Sequence, residues 1–193
     1  MAFIDTIPDA DIDDEIRAMY DRQAGFWGFV PNYARVFCYR PGLMKLWADL
    51  QIGIKKNMTK RAYELATFAA ATALKSTCCS LAHGKTLTEF FSEQDVQAMA
   101  RGDFPASLTV AEAEMMRFAR KVARDASGVT QEDVKRLKEK GFSDADVFDI
   151  SATVGARAFL TRIVESLGVE PEHSLMEMSK EFKEAMTVGR GLS

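Results

Sequence analysis

A cysteine, a histidine and a glutamate carry the residue types and the spacing that thiol chemistry needs. Cys79 and His83 are four residues apart, so on one helix their side chains project from the same face, one turn apart. A predicted helix beginning near Cys78 and Cys79 places the Cys79 thiol in its first turn, where free N–H groups and the helix dipole favour a thiolate. Glu64 lies on the preceding predicted helix, from which its carboxylate can reach the same face. These residues predict a nucleophilic cysteine beside an acid–base pair.

The same residues also fit roles without chemistry. Cysteine is among the most frequently buried residue types, His83 can be a satisfied polar residue, and Glu64 can lie on a solvated face. A zinc site formed by the three side chains is a further alternative, although no fourth ligand is evident and Cys-x3-His is a poor zinc signature. Both alternatives therefore stay open at the level of the sequence.

The remaining polar and sulfur-containing side chains are interpreted as structural. Cys38 is predicted to lie in the core and His173 to be solvated. Arg157 and Arg162, on an apolar helix, are interpreted as surface or ion-paired residues rather than anion ligands. Four methionines are interpreted as packing residues: Met115, Met116, Met176 and Met178.

The three cysteines, Cys38, Cys78 and Cys79, do not form a disulfide framework. Adjacent residues have Cα atoms about 3.8 Å apart, which is shorter than the roughly 4.4–6.8 Å that disulfides prefer. A bridge between Cys78 and Cys79 would be strained and easily reduced. Thiol chemistry or plain burial is therefore favoured over a structural disulfide.

Composition limits the class of protein. The chain has 193 residues, of which 47% are hydrophobic and 27% charged, with a net charge of −3. These values are typical of one globular domain with a buried core and exclude disordered and collagen-like classes. The charge does not favour nucleic-acid binding, and the longest uncharged apolar stretch, residues 65–74, is about half the length of a membrane-spanning helix. The N-terminus lacks the basic start of a secretory signal, so we expect a cytoplasmic protein.

Helical periodicity dominates the sequence, and no alternating strand pattern is convincing. We therefore predict an all-α fold, with one domain over residues 1–193. Within it we expect an N-terminal helical arm over residues 1–40, a core over residues 41–170 and a C-terminal helix over residues 171–193.

Residues able to cap helices mark most of the predicted starts. The predicted helices are a first helix carrying Ile12, Ile16, Met19 and Tyr20 after Asp9 and Asp11; one from Pro41; one capped by Thr59 over residues 60–75; one from Cys78 to about Phe91; helices opened by capping boxes at Ser92 and Thr109; one from Thr130 to Gly141; one from Ser143 to near Gly168; and one from Glu172 to about Val188.

Several short motifs together resemble one known superfamily. They are Val30-Pro31-Asn32, Arg61-Ala62-Tyr63-Glu64-Leu65-Ala66, Cys79-Ser80-Leu81-Ala82-His83, Gly141-Phe142-Ser143-Asp144-Ala145-Asp146, and Arg162 followed by Leu167-Gly168-Val169. Over roughly residues 25–170 the chain resembles the AhpD-like (alkylhydroperoxidase D) and carboxymuconolactone decarboxylase superfamily, in its longer peroxidase-related branch. The resemblance implies an AhpD-like multi-helix bundle and a thiol-dependent hydroperoxide reductase with an antioxidant role.

The resemblance also implies a role for each site residue. The AhpD pattern is a glutamate followed twelve positions later by Cys-x-x-Cys-x-x-x-His, which falls here on Glu64, Ser76, Cys79 and His83. It implies that Cys79 attacks the peroxide and that Glu64 and His83 relay the proton. Because Ser76 occupies the position of the first cysteine, the two-cysteine cycle cannot run, and we expect a one-cysteine cycle through a sulfenic acid. Ser76 and Cys78 are auxiliary candidates, Cys78 only through a strained vicinal bridge.

Two alternatives remain. One is a non-redox enzyme of the carboxymuconolactone decarboxylase type, with His83 or Glu64 as acid or base, and the other is a non-catalytic oligomeric binding protein. For the main hypothesis we expect a small-molecule hydroperoxide, an external thiol reductant and a homo-oligomer. We expect no cofactor, no metal ion, no nucleic acid and no membrane among its partners.

Overall fold

In the computed structural model, residues 2–192 are described, and they form ten α-helices and no strand. The helices are α1 (Asp14–Trp27), α2 (Asn32–Arg35), α3 (Pro41–Lys55), α4 (Lys60–Ala73), α5 (Thr77–Leu87), α6 (Glu93–Arg101), α7 (Val110–Arg124), α8 (Gln131–Glu139), α9 (Asp144–Ser166) and α10 (Lys180–Met186). Single 3-10 turns occur at Val36–Tyr39, Ala126–Gly128 and His173–Leu175. The all-α prediction is confirmed. Met1 and Ser193, the ends of the predicted domain, lie outside the described residues.

The alanine-rich helix α4 is the centre of the bundle. Thr59 caps it as predicted, because its Oγ1 accepts the Ala62 N–H at 3.2 Å. Every residue from position 63 to position 72 is buried, and α5, α7 and α9 pack around the helix. A helix buried on all sides has no solvated face. Its one carboxylate, Glu64, therefore needs a partner inside the protein.

Capping boxes fix the starts of the two long helices beside α4. Thr109 and Glu112 exchange side-chain and backbone hydrogen bonds at the start of α7, and Ser143 and Asp146 do the same at the start of α9. The box at Thr109 and the helix start at Ser143 were predicted from the sequence and are confirmed. At Ser92, where a box was also predicted, the side chain accepts the Asp95 N–H, but the reciprocal bond of a capping box is not formed. The two complete boxes satisfy N–H groups that a helix start otherwise leaves free.

The turn between α4 and α5 brings the predicted site residues to the interface of the two helices. Lys75 has a φ of 58°, and Ser76 then caps α5 by accepting the Cys79 N–H at 3.3 Å. The helix therefore begins at Thr77, one residue before the predicted start. It also ends at Leu87 rather than at Phe91, because the backbone there closes into turns on the Lys85 and Leu87 carbonyls.

The predicted caps of the first helix are wrong. Asp13 caps α1, with its side chain accepting the Ile16 N–H at 2.9 Å. Ile12 precedes the helix, and Asp9 instead pairs with Arg35 at 3.1 Å. A cap must lie next to the first helical residue, and Asp13 is the acidic residue that does.

The predicted helix from Glu172 to Val188 is also wrong. This segment forms the 3-10 turn at His173–Leu175 and, after a break, the short helix α10. Ser179 starts α10 by accepting the Phe182 N–H at 3.2 Å. The helix that begins after Ser179 places the Phe182 ring in the main core, where it is fully buried.

The hydrophobic core has two main clusters. One surrounds α4, α7 and α9, and α10 contributes to it. The other joins the N-terminal helices to α9 and contains Cys79 together with Met44, Ala71 and Leu160. The Cys79 side of α5 is thus covered by the N-terminal part of the chain. No helix among residues 2–192 combines the length and the apolar character that a membrane span requires.

Candidate active site

Glu64 on α4 and His83 on α5 form a close side-chain pair. His83 Nδ1 lies 2.6 Å from Glu64 Oε2, and both side chains are largely shielded from solvent. The contact satisfies the buried carboxylate. It also fixes the imidazole, because a neutral His83 that donates its Nδ1–H to Glu64 presents an unprotonated Nε2 on its other side.

Local electrostatics favour an ionised Glu64 next to a neutral His83. Burial and the nearby charge of Arg157 lower the pKa of His83 below 6.5, against the opposing effect of Glu64. Burial alone would raise the pKa of Glu64, but His83 and the cations Lys55 and Arg157 lower it below 4.5. At neutral pH the imidazole therefore carries no net charge and can accept a proton.

Cys79 lies in the first turn of α5, one turn before His83, and is 5% exposed. Two donors on α9 approach its sulfur. Thr161 Oγ1 is 3.6 Å from Cys79 Sγ, and Arg157 Nη1 is 4.0 Å from the same atom. The sulfur thus faces an O–H group and a cation, both of which stabilise negative charge.

Arg157 is the member of this cluster that the sequence interpretation missed. It is 4% exposed, and no carboxylate in residues 2–192 forms an ion pair with it. The prediction of a surface or ion-paired residue is therefore wrong, whereas Arg162 is exposed as expected. Burial alone would lower the pKa of Arg157, but Cys79 and Tyr63 beside it raise the pKa.

The surroundings of Arg157 are polar on one side and aromatic on another. Its guanidinium carbon lies 5.8 Å from the centroid of the Trp47 ring. Its Nε is buried and has no hydrogen-bond partner among the described residues. Because Arg157 also acts on the charge of His83, it connects the cysteine to the Glu64–His83 pair.

Ser76 and Cys78, the auxiliary candidates, have different environments. Ser76 is completely buried and donates its hydroxyl proton to Glu165 Oε1 at 2.7 Å, while it caps Cys79. Cys78 is a free thiol, and burial, followed by the charges of Cys79 and Glu165, raises its pKa. Ser76 therefore positions the start of α5, and the protonated thiol of Cys78 is a poor nucleophile.

The remaining sequence interpretations are tested by burial. Cys38 is buried and accepts the Ile7 N–H at 3.4 Å, and His173 is exposed, as predicted for both. Met115 and Met116 are core residues. Within residues 2–192, no three side chains of His, Cys, Asp or Glu are grouped as a metal site requires.

An apolar groove lies between α3 and α9 next to this cluster. Its volume is about 270 Å³, and its lining comprises Leu43, Leu46, Trp47, Leu50, Gly155, Ala156 and Phe159. Trp47 is shared between the groove and the cluster, because its ring also faces Arg157. Its indole N–H donates to the Ala156 carbonyl at 3.1 Å, which fixes the ring on α9.

The fold is similar to solved structures across nearly its whole length. An uncharacterized peroxidase-related protein from Ralstonia eutropha JMP134, an alkylhydroperoxidase AhpD core, is 24% identical, with a TM-score of 0.81 over 92% of this chain and 95% of that one. An uncharacterized peroxidase-related protein from Silicibacter sp. TM1040 is 18% identical, with a TM-score of 0.77 over 92% and 95% of the two chains.

A third similar structure has a named activity. The debrominase Bmp8 is 15% identical, with a TM-score of 0.74 over 94% of this chain and 96% of that one, and a cysteine-to-alanine variant of it has been solved in complex with 2,3,4-tribromopyrrole. No family model and no curated protein matches the chain. The likenesses show that this chain has the AhpD-like fold, as the sequence resemblance predicted.

Proposed function

We propose that this protein is a thiol-dependent hydroperoxide reductase of the AhpD-like superfamily, with Cys79 as nucleophile and Glu64–His83 as proton relay. The observation that carries the proposal is the 2.6 Å contact between His83 Nδ1 and Glu64 Oε2, one helical turn from Cys79. It provides a neutral imidazole with a free Nε2 near a cysteine that faces two donors. The likeness to peroxidase-related proteins supports the same reading.

In the first half of the cycle, His83 Nε2 takes the thiol proton of Cys79, and Glu64 stabilises the resulting imidazolium. The sulfur then attacks the terminal oxygen of the hydroperoxide ROOH. An S–O bond forms while the O–O bond breaks, and its electron pair leaves on the RO oxygen, which recovers the proton as ROH. The sulfur is oxidised to a sulfenic acid, and the peroxide is reduced to an alcohol.

In the second half of the cycle, an external thiol restores Cys79. One thiol condenses with the sulfenic acid to give a mixed disulfide and water, and a second thiol releases Cys79 together with a small disulfide. Ser76 supports this one-cysteine cycle, because a hydroxyl at the first position of the motif forms no disulfide and is engaged with Glu165 and the Cys79 N–H.

The test is consumption of cumene hydroperoxide by the purified full-length protein in the presence of a dithiol. We expect turnover by the wild type and its loss in Cys79→Ser. The matched control is Cys38→Ser, which removes another buried cysteine and should leave turnover intact. A wild-type protein that is inert toward several hydroperoxides and thiols contradicts the proposal. The decarboxylase-type alternative is favoured if the protein turns over a keto acid or lactone and this activity survives Cys79→Ser but not His83→Ala.

A second candidate function is thiol-dependent dehalogenation of a halogenated ring. The likeness to a debrominase, solved with a brominated pyrrole in a cysteine-to-alanine variant, favours it. The net reaction converts one aryl bromide and two thiols into the debrominated ring, one disulfide and hydrogen bromide. Bromide release from 2,3,4-tribromopyrrole that depends on Cys79 and exceeds the rate with hydroperoxides would select this function over the first.

We also propose that the protein acts as a homo-oligomer in a reducing compartment such as the cytoplasm. Its three cysteines are free thiols, as is typical of reducing compartments. Large apolar side chains are exposed on α3 and α9, including Leu46 at 67% and Phe148 at 71%. Contiguous exposed apolar surface is typical of a subunit interface.

A further inference from the structure

Arg157 is a buried cation that forms no ion pair with a carboxylate of residues 2–192. Burying a guanidinium is costly unless its charge and its N–H groups are satisfied. The acids nearby have other partners, since Glu64 contacts His83 and Glu165 accepts from Ser76. The Trp47 ring and the Tyr63 phenol give partial compensation.

One donor of this cation is left over. Arg157 Nη1 donates to Cys79 Sγ at 4.0 Å, but the buried Nε has no acceptor in the part of the chain that the structure describes. A buried N–H without an acceptor costs free energy of folding. An acceptor supplied by a bound ligand beside the sulfur would remove that cost.

We propose that Arg157 is the oxyanion-binding residue of the site and holds the negatively charged leaving oxygen of the substrate next to Cys79. The proposal rests on the proposed function for the reaction itself. It assigns a role that neither the motif around Cys79 nor the Glu64–His83 pair supplies.

The chemistry follows from the position of the guanidinium. When Cys79 Sγ bonds to the terminal oxygen of ROOH, the electron pair of the O–O bond moves onto RO. Arg157 faces the sulfur and has a free N–H, so its charge stabilises this oxygen as the O–O bond breaks. His83 then returns the proton that gives the neutral alcohol. Donors fixed in a buried site stabilise developing charge more strongly than water does.

The dependence of this effect on the leaving group makes it measurable. tert-Butyl hydroperoxide releases tert-butoxide, a strongly basic anion, whereas peroxyacetic acid releases acetate, which is stable without help. In Arg157→Gln we expect the rate constant of Cys79 oxidation to fall about 10²–10³-fold for tert-butyl hydroperoxide and less than about tenfold for peroxyacetic acid. The ratio of the two rate constants within one variant is independent of the fraction of Cys79 that is ionised.

Two further variants keep the test interpretable. Arg162→Gln removes an exposed cation from the same helix and should keep the wild-type ratio. Arg157→Lys keeps a cation without the planar fork and should give an intermediate ratio, which remains measurable if Arg157→Gln does not fold. Equal losses of rate on both peroxides in the Arg157 variants, or a loss of thermal stability with unchanged rates, would overturn the proposal.

A second measurement separates this inference from the proposed function. The alkylation rates of Cys79 by iodoacetate, an anion, and by neutral iodoacetamide are compared in the wild type and in Arg157→Gln. We expect the iodoacetate-to-iodoacetamide ratio to fall about tenfold when Arg157 is replaced, as for one lost charge-assisted hydrogen bond. An unchanged ratio refutes anion binding at Arg157, whereas a changed ratio in a protein inert toward peroxides refutes only the proposed function.

Discussion

Replacing Glu64 by glutamine tests the proton relay with the least change in shape. The amide keeps the volume of the carboxylate inside α4, where every neighbouring residue is buried. When its NH2 group donates to His83 Nδ1, the imidazole proton lies on Nε2. His83 then has no lone pair at Nε2 with which to take a proton from Cys79.

The structure sets the size of the expected effects of Glu64→Gln on the oxidation rate and on stability. Loss of a positioned general base costs about 10²–10⁴-fold in rate, so we expect Glu64→Gln to slow peroxide-dependent oxidation of Cys79 by that factor. The Glu64–His83 contact of 2.6 Å is buried and involves a charged acceptor, and exchanging it for a hydrogen bond from a neutral amide costs about 1 kcal/mol. For a chain of this size the melting temperature should fall by about 2–4 °C.

The assay is stopped-flow oxidation by cumene hydroperoxide, with the melting temperature measured on the same preparation. Glu114→Gln is the matched control, because Glu114 is also a buried helical carboxylate and pairs with Arg136 at 3.0 Å, outside the cysteine site. The Glu114→Gln protein should have a lower melting temperature and should react with cumene hydroperoxide at the wild-type rate. A folded Glu64→Gln protein that reacts at the wild-type rate would refute the relay.

Three further predictions concern pH, the motif serine and assembly. The rate of Cys79 oxidation should fall as pH is lowered through the pKa of His83, which lies below 6.5, because protonation of the imidazole removes the base. A rate that is independent of pH in this range contradicts the role of His83 as base. The free energy of unfolding should fall over the same range, because the folded protein binds this proton less readily than the unfolded chain, as denaturant titrations at several pH values will show. Ser76→Ala removes the cap of α5 and a hydrogen bond to Glu165, so the free energy of unfolding in urea titrations should fall by about 1–3 kcal/mol. Ser76→Cys should add a resolving thiol, which would be detected as a disulfide with Cys79 after one equivalent of peroxide. Leu46→Asp, on the exposed face of α3, should lower the mass measured by light scattering without loss of helicity, and an unchanged mass excludes this face as the interface.

Local patterns predicted the features that depend on neighbouring residues. Thr59, Thr109 and Ser143 were identified as caps because a cap acts within one turn of its own position, and the structure confirms all three. The spacing of Cys79 and His83 likewise placed both on one helix. Errors occurred where several acidic or polar residues competed to start a helix, as at Asp13 and Ser179.

Tertiary structure decided how the helices are rotated against one another. From its sequence position alone, Glu64 could lie on a solvated face or contact a partner, and only the packing of α4 on α5 brought it to His83. Arg157 shows the same limit more strongly, because it shares the buried face of α9 with the polar residues Thr153 and Thr161, so an apolar pattern does not mark that face.

The sequence by itself thus determined a helical chain with a cysteine, a histidine and a glutamate at the spacing of an AhpD-like site. The tertiary structure alone placed Arg157 against a sulfur 78 positions earlier in the chain. The physical reason is that capping and periodicity act over one or two turns, whereas the burial of a cation depends on which distant side chains surround it.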